Sequence, residues 1–144
     1  TFSKDIFNYN KYSTGHFLDL SVAYDFDEQL QVPLRLYWAT IFAGRDLNSA
    51  GNNMYSTFVY GEYSVFRDEH WIVDLGLGGT FAFNRTEADG SRNFYGTDHI
   101  NQISLKTTYL LKLGRFKMPV FAHAMWNPDI RSGYLQVGVK LFAF

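Results

Sequence analysis

The chain has 144 residues, a net charge of −1 and no cysteine. Those values point to one domain, exclude disulfides and thiolate metal sites, and give no electrostatic case for nucleic acid as a partner. Aromatic residues make up 19% of the sequence, yet mean hydropathy is slightly negative and no run of about 18 apolar residues offers a transmembrane helix.

In chain order, Thr1–Asn10 alternates poorly, with Phe2, Lys4 and Ile6 against Ser3, Asp5 and Phe7. It is an expected strand only because bacterial barrels have even strand counts. Gly15–Phe26 is the first clear strand. Leu30–Ala43 then splits by parity: Leu30, Val32, Leu34, Leu36, Trp38, Thr40 and Phe42 against Gln31, Pro33, Arg35, Tyr37, Ala39, Ile41 and Ala43. Tyr55–Phe66 follows, and Trp71–Asn84 repeats the split, with Trp71, Val73, Leu75, Leu77, Phe81 and Phe83 on the apolar parity. Asn101–Leu113, Phe116–Trp126 and Tyr134–Phe144 complete seven strands. A period of two means strands, and a length of about 11 to 14 residues suits a tilted crossing of a bilayer.

The connections alternate in length. Asp27–Gln29, Arg67–His70 and Gly114–Arg115 are tight turns, whereas Gly44–Met54, Arg85–Ile100 and Asn127–Gly133 are longer loops rich in Asn, Gly, Asp and Ser. Short turns on one side and long, exposed loops on the other is the outer-membrane arrangement. The expected fold is therefore all-β, an antiparallel up-and-down transmembrane β-barrel of about eight strands, forming one domain over residues 1–144. Aromatic side chains fall near strand ends: Tyr24, Phe26, Tyr63, Trp71, Tyr109 and Phe116 by the short turns, and Phe42, Tyr55, Phe81, Phe83 and Trp126 by the long loops. Such girdles match the interfacial preference of aromatic rings. One feature departs from the pattern: Phe142 and Phe144 share parity with Gln136 and Lys140, not with Leu135, Val137, Val139 and Leu141.

The face assignment follows. Leu34, Leu36, Trp38, Val73, Leu75, Leu77 and Leu105 are expected to face lipid, and Asp19, Asp25, Arg35, Glu62, Asp74, Lys106, Lys112, Lys117, His123 and Lys140 to face the lumen. Opposite charges in a narrow lumen should pair, because an isolated buried charge is costly. No catalytic, cofactor or metal site is expected. Asp98 and His99 are sequence neighbours and so point to opposite faces of a strand. Ser56, Ser64 and Ser104 belong to no nucleophile motif. The segment Asp46–Gly51 starts like a calcium loop but lacks the later ligands.

The stretches Ser13–Val22, Trp38–Gly44, Tyr55–Thr57, Phe94–Gly96 and Gln102–Lys106 resemble a family of small outer-membrane porins of Bacteroidetes-type bacteria. The resemblance implies an outer-membrane location in a Gram-negative cell. It also implies further strands before Gly15 and about twelve in all. The opening Thr1-Phe2-Ser3-Lys4 has no apolar signal segment, so the chain reads as mature or as a fragment. The functional expectation is a non-enzymatic outer-membrane barrel in contact with lipid and lipopolysaccharide. It would act as a small porin-like channel or as a membrane-embedded component alongside other outer-membrane proteins. The alternative is a soluble lipocalin-like barrel holding an apolar ligand, with the apolar parity turned inward.

Overall fold

The computed structural model describes residues 17–26, 31–114 and 116–140, so the expected strand over Thr1–Asn10 and the phase of Phe142 and Phe144 lie outside the described residues. The strands are β1 Phe17–Asp25, β2 Leu34–Gly44, β3 Ser56–Arg67, β4 Trp71–Ala82, β5 Arg92–Asn93, β6 Gly96–Thr97, β7 Ile100–Leu113, β8 Phe116–Asn127 and β9 Ser132–Val139. Seven of them form one antiparallel sheet in the order β1-β2-β3-β4-β7-β8-β9, while β5 and β6 form a separate hairpin. The order departs from sequence only where that hairpin is inserted, so the large sheet is an up-and-down meander. Among the described residues β1 and β9 are its outer strands and do not pair with each other.

All seven strands read from the alternation are present, with shifted ends. β2 begins at Leu34, not Leu30. Gln31 adopts φ 55°, outside the extended region, and Pro33 has no N–H to give a ladder. Its carbonyl still accepts from the Ser64 amide at 2.9 Å. The turn between β3 and β4 is held by Asp68, whose Oδ1 accepts from the amides of His70 at 2.8 Å and Trp71 at 2.7 Å. Gly114, at φ 61°, makes the tight turn that places Leu113 opposite Phe116, a backbone region that glycine enters without cost.

The chain divides into two compact units, the first of residues 1–22, 38–59 and 79–99, the second of residues 23–37, 60–78 and 100–144. Within each, the covered face is polar. Among the described residues the buried set holds three apolar side chains (Ala39, Ile41, Met54) against ten polar or charged ones, the reverse of a water-soluble core. β4 shows it directly: Asp74, Gly76, Gly78 and Thr80 are buried, while Leu75, Leu77 and Phe81 are exposed. In the first unit two hydroxyls on the apolar parity are nonetheless covered. Trp38 Nε1 donates to Thr40 Oγ1 at 2.7 Å, Thr40 and Thr57 share a hydrogen bond at 2.9 Å, and Thr57 Oγ1 donates to the Tyr55 carbonyl at 3.2 Å. The chain of donors runs one way, so every hydroxyl is satisfied without water.

The two long segments of the first unit carry structure of their own. Residues 85–100, read from sequence as an exposed loop, have no buried residue and contain a 3-10 turn over Glu87–Asp89 and the β5–β6 hairpin. The Asp89 carboxylate ties both segments together: Oδ2 accepts from the Thr86 amide at 2.8 Å and hydroxyl at 2.7 Å, and Oδ1 from the Ser49 amide at 2.6 Å. The Ser49 and Thr86 hydroxyls meet at 2.5 Å, and Asn48 Nδ2 donates to the Asn84 carbonyl at 2.9 Å.

The amide and hydroxyl of Thr86, then the Ser49 amide, stabilise the ionised carboxylate and hold Asp89 below the usual aspartate range. A depressed native value means the clamp is fully present above the ordinary aspartate pKa and is lost as pH falls through the lower native one. Protection of the Ser49 and Thr86 amides, taken relative to their intrinsic exchange rates at each pH, should therefore fall as the carboxylate is protonated at acid pH, and Asp89→Asn should remove that dependence; unchanged protection in the variant would show that the clamp does not order these segments.

Candidate functional site

The second unit carries a row of polar side chains with one member from each strand of the large sheet: Asp25, Arg35, Glu62, Asp74, Lys106, His123 and Gln136 from β1, β2, β3, β4, β7, β8 and β9. Each lies on the parity opposite the exposed Leu36, Leu75 and Leu105, and register aligns Lys106 with His123 and His123 with Gln136.

The charges are paired in series. Arg35 Nε donates to Asp25 Oδ2 at 2.6 Å and its Nη1 reaches Glu62 Oε1 at 3.4 Å. Lys106 Nζ stands 3.8 Å from Glu62 Oε1 and 3.9 Å from Asp74 Oδ2. The carboxylates are the covered partners, with side-chain exposures of 12% for Glu62 and 5% for Asp74, against 52% for Arg35. Hydroxyls complete their coordination: Ser64 Oγ donates to Asp74 Oδ1 at 2.5 Å, and Tyr60 donates to Glu62 Oε2 at 3.3 Å while bonding Ser104 Oγ at 2.7 Å.

Tyr60 reaches Ser104 by crossing Gly76, where a Cβ would overlap both the Tyr60 hydroxyl and Ser104 Oγ. The glycine is thus required by the close approach of a side chain. Beside the row lies an open cavity of about 590 Å³, whose lining includes Arg67, Phe121, His123, Gln136 and Lys140.

Of the residues expected on this face, Asp25, Arg35, Glu62, Asp74, Lys106 and His123 come together in the row. Lys140 lines the cavity just beyond β9, its amide donating to the Pro119 carbonyl at 2.9 Å. Lys112 instead pairs with Glu69 in the β3–β4 turn. Asp19 lies in the first unit, on an exposed stretch of β1. The side chain of Lys117 lies outside the described residues. Of those expected to face lipid, Leu36, Trp38, Leu75, Leu77 and Leu105 are exposed, and Leu34 and Val73 half-buried.

Tyr60 and Arg67 were not among the expected site residues. The signal for Tyr60 was a large inward-parity aromatic on a strand beside one with Gly76 and Gly78 at the same parity.

The other candidate motifs have local roles. Asp46 accepts from the amide and hydroxyl of Ser56, each at 2.7 Å, and Ser56 Oγ accepts from the Phe94 amide at 2.9 Å. Asn48 Oδ1 accepts from the amides of Ala50 and Asn52, so the calcium-like segment is organised by its own backbone. Asp98 accepts from Arg85 and Asn93, while His99 meets the Thr97 hydroxyl. Compared with protein-family models, curated proteins and solved structures, the chain matches none.

Lys106→Met leaves Glu62 and Asp74 covered without their shared cation, and should lower stability by about 1–3 kcal/mol, the cost of unsatisfied buried polar groups. Asp25→Asn, at the more exposed end, should cost under about 1 kcal/mol. Denaturant midpoints in detergent check the order, and equal effects would show that the series does not depend on burial. Gly76→Ala forces Tyr60 off Ser104 and should destabilise by about 1–3 kcal/mol, with Tyr60→Phe in the same background recovering part of that loss.

Proposed function

We propose that the protein is an integral outer-membrane β-barrel of the small-porin type. Its apolar parity lies in lipid, and its polar row lines a narrow aqueous passage for small solutes. The observation that carries this reading is the sidedness of the sheet: polar groups are covered and paired, whereas Trp38, Leu75, Leu77 and Leu105 stand open. A soluble lipocalin-type barrel requires the opposite, an apolar parity turned inward around its ligand. In lipid every backbone donor and acceptor must be satisfied within the protein, so in this reading the sheet closes into a barrel.

Aromatic clustering agrees with a bilayer. Among the rings expected near the short turns, Trp71 and Tyr109 lie 4.8 Å apart and Tyr24 and Phe26 4.6 Å apart. Near the long loops Phe81 and Phe83 lie 5.0 Å apart. Rings with one apolar and one wet side favour the lipid–water boundary. The row supports a passage over a sealed wall because Arg35 stays half-exposed although it is paired.

The protein should float with liposomes and give discrete conductance steps in a planar bilayer. Leu75→Arg and Leu105→Arg should each cost about 2–4 kcal/mol of membrane stability, while Ser21→Arg, on the other parity, should cost far less. Leucine variants that assemble like the wild type beside a failing Ser21→Arg would reverse the two faces. Solubility without detergent would favour the lipocalin-like reading, and insertion without conductance would favour a membrane-embedded component of an outer-membrane assembly.

A further inference from the structure

Another cavity, of about 370 Å³, lies within the second unit and is lined from β1, β2 and β3. Its walls are set by register. The Phe26 amide donates to the Leu34 carbonyl and the Ser64 amide to the Pro33 carbonyl, each at 2.9 Å. Continued along antiparallel strands, those bonds place Arg35 between Asp25 and Glu62, and Tyr37, two residues on, between Ala23 and Tyr60. The Arg35–Asp25 and Arg35–Glu62 contacts follow the same register. All six residues line the cavity. Two adjacent tyrosines and a small alanine thus stand one pleat repeat from a guanidinium held between two carboxylates.

These groups keep surface with which to meet a ligand. The Arg35 side chain is 52% exposed and that of Asp25 30%, while Tyr37 and Tyr60 are half-buried. Arg35 commits Nε to Asp25 and Nη1 to Glu62. A guanidinium has five donors, so its open edge can still donate outward. Asp25 makes further contacts, and a carboxylate has about four acceptor positions to share among them. Tyr60 is anchored through its hydroxyl by Ser104 and Glu62, which fixes the ring without using its face. Ala23, exposed beside Tyr37, adds no bulk over that ring.

We propose that this cavity binds neutral sugars. The C–H face of a sugar ring packs on Tyr37 and Tyr60. Neighbouring hydroxyls at the ring edge accept from the Arg35 guanidinium and donate to the Asp25 carboxylate. A sugar combines an apolar face with paired hydroxyls that both donate and accept, and the cavity offers the complement of each in one patch. An anion would meet Asp25 and Glu62 instead. A purely apolar solute would strip water from Arg35 without replacing its hydrogen bonds. The site rests on the reading that solutes reach the polar face, and it gives the passage a preference for sugars.

The test uses the protein in an amine-oxide detergent, because maltoside and glucoside headgroups would compete. Methyl glycosides of glucose, galactose and mannose are the probes. Glycerol supplies hydroxyls without a ring face, and cyclohexanol a ring without paired hydroxyls. At least one glycoside should bind saturably, with NMR magnetisation passing from aromatic protons to its ring C–H protons. The two controls should do neither at the same concentration. Ala23→Leu, at an exposed position, adds bulk beside Tyr37 and should abolish binding. Tyr37→Leu should weaken it about fivefold, the loss of one aromatic packing contact, and Tyr37→Phe should retain it. Arg35→Lys should weaken it about tenfold, because an ammonium lacks the planar fork. Glu87→Gln, in the first unit, should leave binding unchanged.

No saturable response to any of the three glycosides would overturn the proposal. So would equal responses to glycerol or cyclohexanol, or glycoside binding that survives Ala23→Leu. None of these readouts needs conductance. A silent bilayer with glycoside binding intact removes the passage reading alone, and conductance without glycoside binding removes the sugar site alone.

Discussion

Two carboxylates under cover, Glu62 and Asp74, dictate most of the second unit. Removing such groups from water costs several kcal/mol each unless cations and hydrogen-bond donors replace the solvent. Lys106 stands between them, Arg35 links Glu62 to Asp25, and Ser64 and Tyr60 fill remaining acceptor positions. The demand reaches the backbone, because Tyr60 arrives only by crossing a residue that lacks a Cβ, Gly76. Glycine on β4, serine on β3 and β7, and a basic residue on β2 and β7 are thus consequences of one electrostatic requirement. They are not separate features of composition.

The apolar face obeys the complementary rule. In the proposed hydrocarbon environment a hydroxyl there would have no water to bond and would have to be answered by protein. Thr40 and Thr57 meet that condition through each other, the Trp38 indole and the Tyr55 carbonyl. Trp38 keeps about half of its surface open while its single donor points inward, the division of labour that suits tryptophan to a boundary between apolar and polar surroundings. Leu36, Leu75, Leu77 and Leu105 stand exposed on that parity, and clustered exposed apolar side chains mark contact with a partner or a membrane. That is why the proposed function follows from sidedness alone, without any motif.

The first unit is held mainly by hydrogen bonds, with Arg85–Asp98 an ion pair among them, where the second has its charges paired in series. Its two long segments are knit by Asp89, Asn48 and Ser49, and its hairpin is anchored by Ser56, Thr80 and Asn93. Ring contacts at 5.0 Å between Phe17 and Phe94 and 6.0 Å between Phe58 and Tyr95 add apolar cover.

The alternation of side chains determined by itself which residues lie in strands and which share a face, because a period of two leaves no freedom once the backbone is extended. That is how Asp25, Arg35, Glu62, Asp74, Lys106 and His123 could be grouped, and Leu36, Leu75 and Leu105 set opposite them, before any coordinates. Parity carries no information about stagger between strands. Lys106 meeting Glu62 and Asp74 while Asp19 falls in the other unit was decided only by tertiary structure, since register depends on turn geometry at Asp68 and Gly114. The same holds for residues 85–100, whose Asn, Gly and Asp content reads as loop although side-chain hydrogen bonds from distant positions fold it. Local composition reports what a backbone tolerates; the partners that fix it arrive from elsewhere in the chain.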